Sequence, residues 1–175
     1  ASLMPLLLVG VNHRTAPIEV REKLAFSSTE RIPVLRELRE RPGLSEAALL
    51  STCNRTEIYF VEGEESSVTV LSDTLSDRLG ADVSRYLYVR RDREAASHLF
   101  SVTSGLDSMI LGEAQIQGQV RDAWEGSRDA TGAALNRLFQ QAQLVGSRVR
   151  EETGIGRGAA SVSSAAVQLS KKIFG

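Results

Sequence analysis

One cysteine, two histidines, four prolines and an aromatic content of 5% are what this 175-residue chain has little of. With Cys53 as its single thiol, it can form no internal disulfide and no multi-cysteine metal site. Scarce aromatics leave Leu, Val, Ile and Ala to build the interior. Long hydrophobic runs are missing too. The apolar stretch Leu6–Val11 is far short of the roughly 20 residues that cross a bilayer, and no basic segment precedes it. A soluble cytoplasmic protein with no membrane partner is therefore expected. A strong charge of either sign is also absent. The net charge is −1, which argues against a strongly basic nucleic-acid binder. Residues 1–120 hold 13 basic against 17 acidic side chains, whereas residues 121–175 hold 8 against 5. Any contact with a polyanion would fall on the C-terminal third. With 42% hydrophobic and 25% charged residues, disordered and fibrous classes are excluded.

The hydrophobic periods give the organisation. Leu6–Val11 reads as a buried strand that ends in the polar stretch Asn12–Pro17. Ser27, Ser28 and Thr29 with Glu30 offer N-caps for a helix running to about Arg41, which Pro42-Gly43 stops. Ala47–Ser51 and Thr56–Val61 read as strands, the second with half-buried alternation. Ser66–Leu79 is a helix closed by Gly80, and Tyr86–Val89 is a fourth strand. The order β-α-β-β-α-β predicts an α+β fold with a ferredoxin-like antiparallel sheet over residues 4–90. Helices are expected at Asp92–Val102, Glu113–Asp129 and Ala133 to about Glu152, giving a helical part over 91–152. The last carries Leu135, Leu138, Phe139, Ala142, Val145 and Val149 on one stripe. Residues 153–175 read as a linker followed, from Ala159, by the start of another long helix.

Three segments carry chemistry. In Ser51-Thr52-Cys53-Asn54-Arg55-Thr56-Glu57 the thiol sits between two strands among polar groups. A nearby guanidinium favours the thiolate, the nucleophilic form. His98, on the helix after the fourth strand, and His13, in the loop after the first, are both candidates to assist Cys53. The stretch Gly105–Gln119 gathers Asp107, Ser108, Glu113 and three glutamines where a helix opens, with Gln115 and Gln119 one turn apart. Glu113 there either complements the helix dipole or forms part of a polar wall for an ammonium, hydroxyl or amide group. Gly154-Ile155-Gly156-Arg157-Gly158-Ala159 has the spacing of a dinucleotide fingerprint, but a charged helix end precedes it instead of a strand, so it is rejected.

Gly10–Pro17, Ser51–Glu57 and His98–Gln119 resemble, in order and spacing, the N-terminal part of the glutamyl-tRNA reductase family, and the similarity runs over nearly the whole chain. The resemblance implies an NADPH-dependent enzyme of tetrapyrrole (5-aminolevulinate) biosynthesis that reduces glutamyl-tRNA(Glu) to glutamate 1-semialdehyde. It implies three domains, of which residues 4–152 would be the catalytic one. The NADPH-binding and dimerisation domains would lie outside the chain, so no NADPH is expected to bind here. The homodimer would belong to the full-length protein, as would transfer of product to the downstream aminomutase. Carried over by position, Cys53 would be the nucleophile that takes the glutamyl group as a thioester, and His98 a residue important for activity. Thr52, Asn54, Arg55, Ser108, Glu113, Ala114, Gln115 and Gln119 would contact substrate, Arg55 being suited to a two-point grip on a carboxylate. No metal is implied.

Two other classes remain open on the sequence. A non-catalytic module recognising charged tRNA or a regulator would acquire no label on Cys53 from glutamyl-tRNA. A redox-sensing cysteine is disfavoured by the lack of a resolving thiol.

Overall fold

A computed structural model describes residues 5–62 and 67–153. The start of the long helix expected from Ala159, and the linker before it from residue 154, lie outside the described residues.

Strand β1 (Leu6–Asn12) is followed by α1 (Ile18–Leu24), α2 (Ser28–Arg39), β2 (Leu44–Ser51), β3 (Arg55–Glu62), α3 (Val68–Leu79) and β4 (Tyr88–Arg91). Helices α4 (Asp92–Thr103), α5 (Gln115–Gly126) and α6 (Ala133–Thr153) complete the described chain. The sheet order is β2-β3-β1-β4 with every neighbouring pair antiparallel, the ferredoxin-like arrangement that the element order predicts.

Local signals explain most boundaries. Ser27 and Glu30 form a full capping box, each side chain accepting the other's backbone N–H, and this fixes the start of α2. Gly80, with φ 77°, closes α3 in the left-handed conformation that glycine adopts without strain. Several boundaries differ from the sequence expectation. Helix α1 was not expected, because seven residues carry barely two helical periods. Strand β2 begins three residues early, at Leu44. A 3-10 turn over Ser84–Tyr86 pushes β4 to Tyr88–Arg91. Helix α5 spans Gln115–Gly126 rather than Glu113–Asp129. The left-handed Gly112 keeps the chain from turning helical earlier, and Ser127 bonds back to Trp124 where it ends.

Two apolar cores lie on opposite faces of one sheet. Leu7, Val9, Ala47, Leu49, Ile58 and Phe60 pack with residues of α1, α2 and α3 on one side. Leu8, Ala48, Leu50, Tyr59 and Val61 pack with α4, α5 and α6 on the other, including Leu99, Val120, Leu135 and Phe139. Each such leucine or phenylalanine taken out of water stabilises the fold by roughly 1.5–3 kcal/mol. The half-buried character expected for β3 is therefore corrected: Arg55–Val61 is buried on both faces, because the α4–α6 layer covers the side that alternation alone leaves to solvent. Gly146 lets α6 approach α4, since a Cβ there would stand 3.0 Å from Thr103 Cγ2. Glu46 of β2 accepts hydrogen bonds from Gly132, Ala134 and Leu135 N–H, capping α6 from another element.

Candidate active site

The β2–β3 connection is a tight hairpin in which Thr52 N–H donates to Arg55 O and Ser51 pairs with Thr56. Asn54 N–H donates to Thr52 Oγ1, which holds the turn. Cys53 is at its tip, exposed. Below the hairpin, the two-residue period of β3 turns Arg55, Glu57 and Tyr59 toward the α4–α6 layer, while Thr56 turns the other way and donates to Leu24 O.

Arg55 is only 2% exposed, and its guanidinium is held on two sides. NH1 donates to Glu57 Oε2 at 3.1 Å, and NH2 donates to Asp107 O at 2.6 Å and Asp107 Oδ2 at 3.0 Å. Asp107 also accepts from Arg14 NH1 at 2.6 Å, so it ties the loop after β1 and the loop after α4 to the head of β3. Burial works against the charge on Arg55, but Glu57, Tyr88 and Asp107 outweigh it and hold the guanidinium firmly protonated.

Glu57, absent from the sequence-derived set, is the centre of the arrangement. It has no exposed surface. Its Oε1 accepts from Tyr59 Oη at 2.8 Å, and its Oε2 accepts from Tyr88 Oη and from His98 Nε2, both at 2.5 Å. Burial alone would raise its pKa. His98, Arg55 and Tyr88 overcome that and hold the carboxyl down to about 2. Burial and the neighbouring carboxylate push both tyrosine hydroxyls well above their ordinary value, so they remain donors. In sequence, a glutamate on an alternating strand reads as a solvent-facing residue. The signal that it is not is Arg55 two positions before and Tyr59 two positions after, which the period places on the same face.

Of the two histidines, His98 joins this cluster through Glu57, and its ring lies 5.4 Å from that of Tyr88. His13 lies near Arg55, Arg14 and Asp107. Burial first, then those two arginines, lower its pKa, and its Nδ1 has no hydrogen-bond partner among the described residues.

The polar wall expected from Gly105–Gln119 divides. Gly105 and Gly112, both left-handed, close a loop through Gly112 N–H to Gly105 O. Arg150 of α6 clamps it by donating to Gly112 O and Glu113 O. Glu113 thus precedes the helix and contributes its carbonyl to the clamp. Gln117, not singled out from sequence, bonds inward to Arg150 and Ser147. Ser108 and Gln119 are half-buried, while Ala114 and Gln115 are exposed. A separate cavity of about 500 Å³, between α2 and the α5–α6 turn, is lined by Leu35, Arg36, Arg39 and Asp129 and contains none of these residues.

Chemically, the arrangement offers an exposed thiol two residues before a buried arginine, and on the same strand a fixed carboxylate bonded to a histidine. That suits nucleophilic attack on a small acyl group. No helix among the described residues is long and apolar enough to cross a membrane.

The family model described as glutamyl-tRNAGlu reductase, N-terminal domain, matches residues 9–153. The chain is similar to the glutamyl-tRNA reductase of Stenotrophomonas maltophilia, with 48% identity over 173 residues, covering 98% of this chain and 40% of that protein. For the Aquifex aeolicus glutamyl-tRNA reductase the identity is 47%, covering 97% and 43%. Among solved structures, glutamyl-tRNA reductase from Methanopyrus kandleri matches with a TM-score of 0.74 and 37% identity, over 97% of this chain and 40% of that one. The chain therefore spans about 40% of the length of the relatives it matches.

Proposed function

From the premise that this chain belongs to the glutamyl-tRNA reductase N-terminal domain family, we propose that it carries out the acyl-transfer half of that family's reaction. The Cys53 thiolate attacks the ester carbonyl of glutamyl-tRNA(Glu). A sulfur–carbon bond forms, and the carbon–oxygen bond to the 3′-terminal ribose breaks with its electron pair on the ribose oxygen. That oxygen takes up the proton released by the thiol, and the glutamyl group stays on Cys53 as a thioester. The observation that supports this reading is an exposed Cys53 at the tip of the hairpin whose outgoing strand carries buried Arg55 and Glu57, the latter bonded to half-buried His98.

The bound glutamyl group presents an α-ammonium and a side-chain carboxylate. In this reading Thr52, Asn54 and Ser108 give hydrogen bonds to it, Glu113 and Gln119 receive the ammonium, and Ala114 and Gln115 border it. Arg55, buried and bonded to Glu57 and Asp107, holds the site in shape instead of making the two-point grip on a carboxylate expected from the sequence. His98 assists Cys53.

Reduction of the thioester to glutamate 1-semialdehyde, on the route to tetrapyrroles, we assign to the full-length enzyme, where NADPH supplies the hydride. The described residues do not suit that cofactor. Their sheet is antiparallel throughout, whereas a dinucleotide takes the crevice of a parallel sheet at a glycine-rich turn. Dimerisation, cytoplasmic location and delivery of the aldehyde to the next enzyme are likewise proposals for the whole protein.

Incubation with glutamyl-tRNA carrying radiolabelled glutamate tests the reading. A hydroxylamine-labile label is expected on the wild-type chain and none on Cys53→Ser, with both giving the same far-ultraviolet circular dichroism. A folded wild-type chain that takes up no label overturns it.

A further inference from the structure

Four donors converge on the two oxygens of Glu57. They are Tyr59 Oη, Tyr88 Oη, Arg55 NH1 and His98 Nε2. An ionised carboxylate can only accept, so the 2.5 Å contact to His98 requires the proton to sit on Nε2. When the ring is neutral, its lone pair is then on Nδ1, the nitrogen that faces away from Glu57.

We propose that Glu57 is a positioning residue: it fixes His98 as the Nε2–H tautomer, so that Nδ1 is the nitrogen that works in the reaction. This rests on the reading that Cys53 reacts with an acyl ester. In that step the Sγ–H bond breaks and an N–H bond forms at Nδ1. The imidazolium so produced lies against the Glu57 carboxylate, and the sulfur keeps the electron pair that attacks the ester.

Three features support the assignment. The carboxylate cannot turn away, because both oxygens are tied by phenols from different strands. The His98 ring leans on Tyr88 at an interplanar angle of 46°, which restricts its rotation. Among the described residues, the groups bonded to Glu57 besides His98 are Arg55, Tyr59 and Tyr88, all donors, so none of them competes with it for the Nε2 proton. The arrangement follows the general logic by which a buried carboxylate sets the tautomer of a histidine beside a nucleophile.

Two-dimensional ¹H–¹⁵N spectra of histidine-labelled protein read the tautomer directly. In the wild-type chain, His98 is expected to show a strongly deshielded, slowly exchanging proton coupled to Nε2. That signal is expected to persist in Tyr88→Phe, which leaves the carboxylate in place, and to vanish in Glu57→Gln. The single-turnover rate of label uptake is expected to fall about 10²-fold or more in Glu57→Gln, within the range for a disabled general base. A proton found on Nδ1 in the wild-type chain, or an Nε2 signal unchanged in Glu57→Gln, overturns the proposal. If Glu57→Gln fails to fold, the wild-type and Tyr88→Phe spectra still decide it. A wild-type chain with the Nε2 proton in place but no label uptake upholds the tautomer set by Glu57, and overturns the thioester reading together with the part given to Nδ1 in it.

Discussion

Arg55 and Asp107 are joined across 52 residues by two hydrogen bonds from a single guanidinium nitrogen, one to the Asp107 carbonyl at 2.6 Å and one to its carboxylate at 3.0 Å. That pairing draws the loop after α4 over the head of β3, beside the Cys53 hairpin. NH1 of the same guanidinium holds Glu57, so one side chain spans two acidic groups.

Arg55→Lys is accordingly not conservative. A lysine ammonium is a point charge without the planar fork, so it cannot reach Glu57 and Asp107 together. One carboxylate loses a charged donor while keeping its others, and the loss of stability is expected to be about 1.5–3 kcal/mol. Urea unfolding of the two proteins measures it. A Lys variant within 0.5 kcal/mol of wild type, roughly the scatter of surface substitutions, would contradict the bridging role.

Gly10 is expected to tolerate no side chain. A Cβ there would stand 2.9 Å from Glu57 Cγ and 3.0 Å from both Tyr88 Cζ and Oη. Gly10→Ala should cost about 1–3 kcal/mol, the range for overpacking a filled interior. Removing the tyrosine hydroxyl relieves part of the clash, so Gly10→Ala and Tyr88→Phe should combine to less than their sum. Thermal unfolding of the four proteins of the cycle gives the coupling.

Glu46→Ala removes the acceptor for three backbone N–H groups at the start of α6 and is expected to cost about 1–3 kcal/mol. Glu46→Gln keeps one carbonyl acceptor and should cost less. Amide exchange at Ala134 and Leu135 should accelerate first. If exchange there is unchanged, the cap contributes nothing.

Acid should destabilise the chain as Glu57 titrates. Its pKa is held down to about 2 in the fold, below the ordinary 4.5, because its donors outweigh the cost of burial. A carboxyl depressed in the folded state adds stability that is fully present above the unfolded pKa and is lost as pH falls through the folded one. The loss belongs to the window from about 4.5 down to about 2. Exposed Glu30, lowered to about 2 by the Ser27 backbone N–H and Arg78, contributes in the same sense. Urea midpoints followed through that window should fall for the wild type and be flatter for Glu57→Gln. Parallel curves would show that Glu57 titrates alike in both states.

What the sequence determined by itself is what neighbouring residues impose on one another. The two-residue period marked the strands. Ser27 with Glu30 started a helix, Gly80 ended one, and polar residues around Cys53 marked a turn carrying a thiol. These signals act over at most a few positions, so they survive without a fold. They also set Arg55, Glu57 and Tyr59 on one face of one strand. Tertiary structure decided what that face meets. A charged face reads as solvated until another layer removes the water, and that layer comes from α4, α5 and α6, far along the chain. Glu57 can stay ionised there because His98 and Tyr88 arrive from 41 and 31 residues away to donate to it. Burial makes an unpaired charge costly, and only the packed molecule can bring the donors that make it stable.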